Sequence, residues 1–347
     1  MRRTIIFLLL LFGSAVSYAQ QRSGSQSYTP EQRMRMMQQR ERQNQINAAS
    51  RPDNVAERDN PFNNSLIPIT DLAGKYYQGV AGGLYPGGSN ERPEPYASKG
   101  IEAGRNIVPL DVKGRKDGRE GRVVWLSVGM SNTTQSTRVF IEAARNLPGL
   151  NPKLDLIDGA FGGQDINRIL NPENPYWENI VRQRLTPVGL TPEQVQVVWF
   201  KEAEARASDT TFVSYVPALA VKYKRAVGLI RKHFPNVRII YMSPRAYAGY
   251  AKTRLNPEPF AWYTGWAIKQ VVGEYIEKSP AGMPWLTWGP YLWSNGMTPN
   301  AQGLISAESD YGPDGTHPSP EGQEKIARLL IDHFSGDPTA AAWFLGK

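Results

Sequence analysis

Val123-Val124-Trp125-Leu126-Ser127-Val128-Gly129-Met130-Ser131-Asn132 is the stretch whose reading decides the fold. A short run of apolar, β-favouring residues with no polar alternation reads as a strand buried on both faces. The segment Asn132 to Asn146 then reads as a helix, which places Ser131 at a strand end beside a helix N-terminus. Working outward, Leu154–Ile157, Val195–Phe200 and Val237–Met242 repeat the short apolar pattern. Between the last two, Phe212, Val216, Leu219, Tyr223, Val227, Ile230 and Phe234 recur at helical spacing until Pro235-Asn236 stops them. A last helix is expected from Pro320 to about Phe334, with Ser319 before it as cap. Strands alternating with helices predict an α/β fold with a central parallel sheet covered on both faces.

Two other regions frame this domain, expected over residues 122–347. Residues 61–121, rich in Gly and Pro, are expected to form an irregular extension packed on the core. Its run Gly82 to Asn90 lacks the Gly-Lys-Ser/Thr ending of a phosphate loop. Residues 20–60 form a polar Gln/Arg-rich arm, expected to be disordered or marginally helical after the capping box Thr29-Pro30-Glu31-Gln32. Residues 1–19 carry Arg2 and Arg3, an apolar run from Ile5 to Phe12 and small residues up to Ala19, the pattern of a signal peptide. That run is too short to span a bilayer, so export to the periplasm or beyond is expected, with no membrane span.

Composition narrows the chemistry. The chain has no cysteine, which excludes disulfides and thiolate catalysis. The formal charge is +8, but Arg2 and Arg3 belong to the signal, and residues 20–60 hold seven Arg against five acidic residues. The remainder is about +4, too little to argue for a nucleic-acid partner. Of three histidines, His233 and His333 fall in helical patterns, while His317 lies in the loop Asp314-Gly315-Thr316-His317. One loop histidine and no thiolate leave too few ligands for a zinc centre, and neither a metal nor a cofactor is expected.

Ser131 supplies a hydroxyl that needs a base, His317 supplies an imidazole to take its proton, and Asp314 can fix the ring's tautomer. In open α/β sheets ligands gather at the carboxyl ends of strands, where Ser131 would lie. Gly-Met-Ser-Asn after a strand, Asp158-Gly-Ala-Phe-Gly-Gly163-Gln-Asp after the second strand and Asp-x-x-His before the last helix together resemble the SGNH/GDSL hydrolases. The resemblance spans roughly residues 120–335. It implies a flavodoxin-like three-layer α/β/α fold and cleavage of esters, often acyl or acetyl groups on lipids and carbohydrates. It also implies Ser131 as nucleophile, Asp314 and His317 as its partners, and the amides of Ser131 and Gly163 as oxyanion donors. Two positions depart from the family pattern. Met130 stands where an Asp is usual, and Lys201-Glu202 follow the third strand where the family carries its Gly-x-Asn-Asp. Lys201 is a substitute candidate for the missing asparagine.

Residues 241–297 are rich in aromatics, and Trp285, Trp288 and Trp293 are expected to wall a substrate groove. The functional expectation is an exported serine esterase or deacylase acting on a polysaccharide or small-molecule ester. The alternative is a catalytically weakened glycan-binding module of the same fold.

Overall fold

In the computed structural model, which describes residues 65–346, the run that opens the α/β pattern is an inner strand of a five-stranded sheet, second from one edge. A two-residue hairpin, β1 (Tyr76–Tyr77) and β2 (Val80–Ala81), and helix α1 (Glu94–Arg105) precede it. The domain then alternates: β3 (Val123–Gly129), α2 (Ser131–Arg145), β4 (Leu154–Asp158), the short helices α3 (Ile166–Ile169) and α4 (Tyr176–Ile180), β5 (Val195–Lys201) and α5 (Phe212–His233). It closes with β6 (Ile239–Met242), α6 (Phe260–Lys278), β7 (Trp285–Trp288), α7 (Pro320–Gly336) and α8 (Ala341–Phe344). The expected signal segment and polar arm lie outside the described residues. No described helix is long and apolar enough to cross a membrane.

All four pairings in the sheet are parallel, in the order β4-β3-β5-β6-β7. Counting sheet strands along the chain, that is the 2-1-3-4-5 order of flavodoxin-like folds, whose direction reverses between β3 and β5. The strands are buried on both faces, which is why their sequences run apolar without alternation. Two cores result. Val124, Leu126, Val128, Val198, Phe200, Ile240 and Met242 face α4, α5 and α6. Val123, Trp125, Val197, Trp199, Ile239 and Tyr241 face α2, α7 and α8. Opposite parity on each strand feeds opposite layers. A register shift between Val124 and Trp125 leaves Gln196 as the extra residue of β5, and its buried amide exchanges hydrogen bonds with both backbone groups of Val108.

Phe334 on α7 anchors the second core, with Trp125, Tyr241 and Trp343 at centroid distances of 5.9, 5.3 and 5.5 Å. Truncation of Phe334 to alanine is expected to cost about 3–5 kcal/mol. Urea denaturation measures the loss as a lower midpoint at unchanged slope.

The extension is more regular than expected, because residues 94–105 form α1. Its glycines argue against a helix by propensity. Packing overrides them: a Cβ on Gly100 would lie 2.2 Å from the ring of Trp285, so the close approach needs the missing side chain. The fifth strand was likewise hidden in the aromatic stretch. Only four residues long, it is bounded by prolines that read as loop.

Candidate active site

Ser131 owes its place to the turn out of β3. The last strand residue, Gly129, pairs with Lys201 of β5, and a Cβ there would sit 2.2 Å from the Lys201 carbonyl oxygen. Met130 is extended, and helix α2 begins immediately, with the amides of Thr133 and Thr134 donating to the Met130 carbonyl at 3.0 and 3.1 Å. Thr133 Oγ1 donates to the Lys201 carbonyl at 2.8 Å and ties the turn to the neighbouring strand. Ser131 therefore stands at the carboxyl edge of the sheet, at its switch point and in the first turn of a helix. Unpaired amides and the positive end of the helix dipole gather there.

His317 arrives from the other end of the chain, just before Ser319 caps α7 by accepting from the Gly322 amide. Ser131 Oγ lies 2.7 Å from His317 Nε2, and His317 Nδ1 lies 2.6 Å from Asp314 Oδ2. Asp314 Oδ1 accepts the backbone amides of Thr316 and His317, each at 3.0 Å. With Nδ1–H directed at the carboxylate, Nε2 is the acceptor for the serine hydroxyl. Burial works against ionisation of Asp314. The hydrogen bond and charge of His317, with the two amides, outweigh it and hold the carboxyl at about 2. The three residues thus form a continuous hydrogen-bonded chain, with Ser131 8% exposed at its outer end.

The other two histidines are elsewhere. His233 stacks on Trp177 at the end of α5. His333 packs edge-on against Tyr241 and Phe334, where burial depresses it to about 4.

Around Ser131 the expected oxyanion groups fare differently. Gly163 lies in the exposed turn after β4, and its N–H makes no hydrogen bond among the described residues. Phe161 joins this turn to the serine loop, its amide donating to the Gly129 carbonyl at 3.1 Å. Lys201 does not present a free ammonium. It is buried, and its Nζ donates to Asn132 Oδ1 at 2.7 Å. Desolvation, reinforced by the Arg245 charge, drives Lys201 well below the usual lysine range. The residue that Lys201 serves, Asn132, was overlooked in the sequence because its side chain direction depends on the buried amine behind it. Asp158 was overlooked too. Its carboxylate accepts from Ser127 Oγ, the Ala160 amide and Thr134 Oγ1, stitching β3, the turn after β4 and α2 around Ser131.

The expected tryptophan wall is corrected by packing. Trp288 and Trp293 are buried, and their indole N–H groups donate to the Leu84 carbonyl and to Glu258 Oε1. Trp285 begins β7, at the amino edge of the sheet opposite Ser131. There it stacks on Tyr96 at 5.2 Å, with the Arg92 guanidinium 5.1 Å from the ring centroid. These aromatics supply core area rather than a ligand surface.

No family model matches the chain, and no curated protein matches it. Among solved structures it is similar to a protein described as an acylhydrolase from Bacteroides fragilis, at 11% identity over 70% of this chain and 96% of that one, with a TM-score of 0.36. It is similar to a GDSL-like lipase from Bacteroides thetaiotaomicron, at 12% identity over 68% and 96%, with a TM-score of 0.34. An extracellular lipase from Streptomyces rimosus aligns at 11% identity over 61% and 99%, with a TM-score of 0.32. The chain folds as a flavodoxin-like α/β/α sandwich with a hydrogen-bonded Ser131–His317–Asp314 chain at its switch point.

Proposed function

We propose that this chain is an exported serine esterase of the SGNH/GDSL type that removes an acyl group, foremost an acetyl, from a carbohydrate. The observation that carries the reading is the hydrogen-bonded chain Ser131 Oγ–His317 Nε2–His317 Nδ1–Asp314. In it Ser131 attacks the ester carbonyl while His317 takes the hydroxyl proton. The resulting imidazolium is stabilised by the ionised Asp314. His317 then delivers the proton to the departing sugar oxygen, leaving an acyl-serine, and afterwards activates a water that releases the acid. The amides of Ser131 and Gly163 serve the oxyanion, favoured by the N-terminus of α2.

Lys201 enters as a positioning residue: its amine fixes the Asn132 carboxamide next to the nucleophile. Lys201→Met is therefore expected to lower kcat on p-nitrophenyl acetate about 10- to 100-fold, by analogy with loss of an oxyanion donor or its support, with little change in KM. Lys201→Arg should recover part of the loss, which a merely structural filler would not require. The substrate class is tested on acetylated oligosaccharides beside long-chain acyl esters. Acetate release from the saccharides at higher kcat/KM supports the reading, and preference for the long-chain esters contradicts it. The glycan-binding alternative rested on the departures at Met130 and Lys201-Glu202, with the tryptophan wall as its grip, and the burial of Trp288 and Trp293 removes the grip.

A further inference from the structure

A cavity of about 470 Å³ opens at the amino edge of the sheet, where α1, the turn from α5 into β6 and the loop from α6 into β7 meet. The seven residues of β5, a length of about 23 Å, separate that edge from the carboxyl edge that carries Ser131. The charged residues lining the cavity are Lys99, Arg231 and Arg238, and no carboxylate joins them.

Two of these cations are fixed by their surroundings. Arg231 donates from Nε to the Gly282 carbonyl at 3.1 Å and from Nη1 to the Pro235 carbonyl, which leaves Nη2 for a further acceptor. Arg238 stands just before β6. Its amide donates to the Gln196 carbonyl and its carbonyl accepts from the Trp285 amide, each at 2.8 Å. Lys99 and Arg238 are exposed, and their side chains make no hydrogen bond or ion pair among the described residues. The carboxyl ends of α5 and α6 also reach this edge, each equivalent to about −0.5 charge. Set against three full positive charges, the two remove about one, and the cavity stays positive.

Cavities of roughly 300–1,000 Å³ hold organic ligands, and a single inorganic ion would leave most of this one empty. The aromatic lining is not free to stack on a base: Tyr96 and Tyr275 are buried, and Trp285 is engaged by Tyr96 and by the Arg92 guanidinium. Neutral polar groups complete the wall. Asn236 spends its amide on the Glu193 carbonyl, which leaves Oδ1 as an acceptor, and Ser279 adds a hydroxyl. We propose that the cavity is a binding site for a carboxylated polysaccharide, whose uronate carboxylates meet Lys99, Arg231 and Arg238 while its hydroxyls meet Asn236 and Ser279. Such a site grips a polymer at the edge of the sheet opposite the nucleophile.

The readout is binding, so the test is independent of the esterase proposal. The full-length protein is titrated with polygalacturonate, with dextran and with a single-stranded oligonucleotide. Polygalacturonate should bind saturably, and more weakly as salt rises from about 50 to 500 mM; dextran should not bind, and the oligonucleotide should bind less tightly. Replacing two exposed side chains together, Lys99→Glu with Arg238→Glu, should lower polygalacturonate affinity about tenfold or more, while Ser131→Ala leaves it unchanged. Undiminished affinity in the double variant, a loss in Ser131→Ala, or an oligonucleotide that binds as tightly as polygalacturonate would overturn the proposal. Should the double variant not fold, wild-type crystals soaked in digalacturonate decide: the disaccharide in this cavity supports the site, and its absence there contradicts it.

Discussion

Replacing Ser131 with alanine is expected to lower kcat on p-nitrophenyl acetate by at least about 10⁴-fold, to the residual rate of a site that binds and polarises the ester without a nucleophile. The size follows from the geometry. The hydroxyl lies 2.7 Å from the nitrogen of its base. The substitution removes one oxygen and its single hydrogen bond at a mostly buried position, so the fold should survive, and unchanged urea unfolding checks that the loss is chemical. Turnover within tenfold of wild type would contradict the assignment of Ser131. Steady-state rates in one buffer, with burst kinetics on the wild type, are sufficient to measure the difference.

Asp314→Asn should cost about 10⁴-fold in kcat while leaving the Ser131 loop in place, because an amide can no longer fix the tautomer or stabilise the imidazolium. The same substitution has a pH signature in stability. Asp314 is held at about 2 in the folded protein, below the roughly 3.9 of an unfolded aspartate. A carboxyl depressed by folding stabilises the native state above its unfolded value, and that contribution is lost as pH falls towards the folded one. The wild type should therefore exceed Asp314→Asn in stability near neutrality, and the gap should close between about pH 4 and pH 2. Urea midpoints of both proteins across that range measure it. A gap independent of pH would mean that the carboxylate is not ionised in the native state.

How much of this was legible in the sequence depends on how local each signal is. β3, β4 and β5 could be read to within a residue or two because each is a short, mainly apolar run. The pairing of Ser131 with His317 was legible for a different reason: both lie where strands or loops meet helix starts, and such places converge at one sheet edge. Asn132 was not legible, because its orientation depends on Lys201, which is 69 residues away. Lys201 itself was misassigned for the same reason, since a lysine at a strand end reads as a solvent-facing cation until the burial around it is known. The tryptophans show the opposite failure. Trp288 and Trp293 look like a sugar-stacking surface by type, and only tertiary packing turns their faces into core. α1 was concealed by Gly100, a residue chosen for the approach of Trp285 rather than for helix propensity.

The central claim is that Ser131 is a nucleophile activated by His317, and covalent labelling with a fluorophosphonate tests it most directly. Intact mass after exposure should show one adduct per chain, and peptide mapping should place it on Ser131. The adduct should be absent from Ser131→Ala and form far more slowly in His317→Ala. An unlabelled wild-type protein, or an adduct on any other residue, would contradict the account.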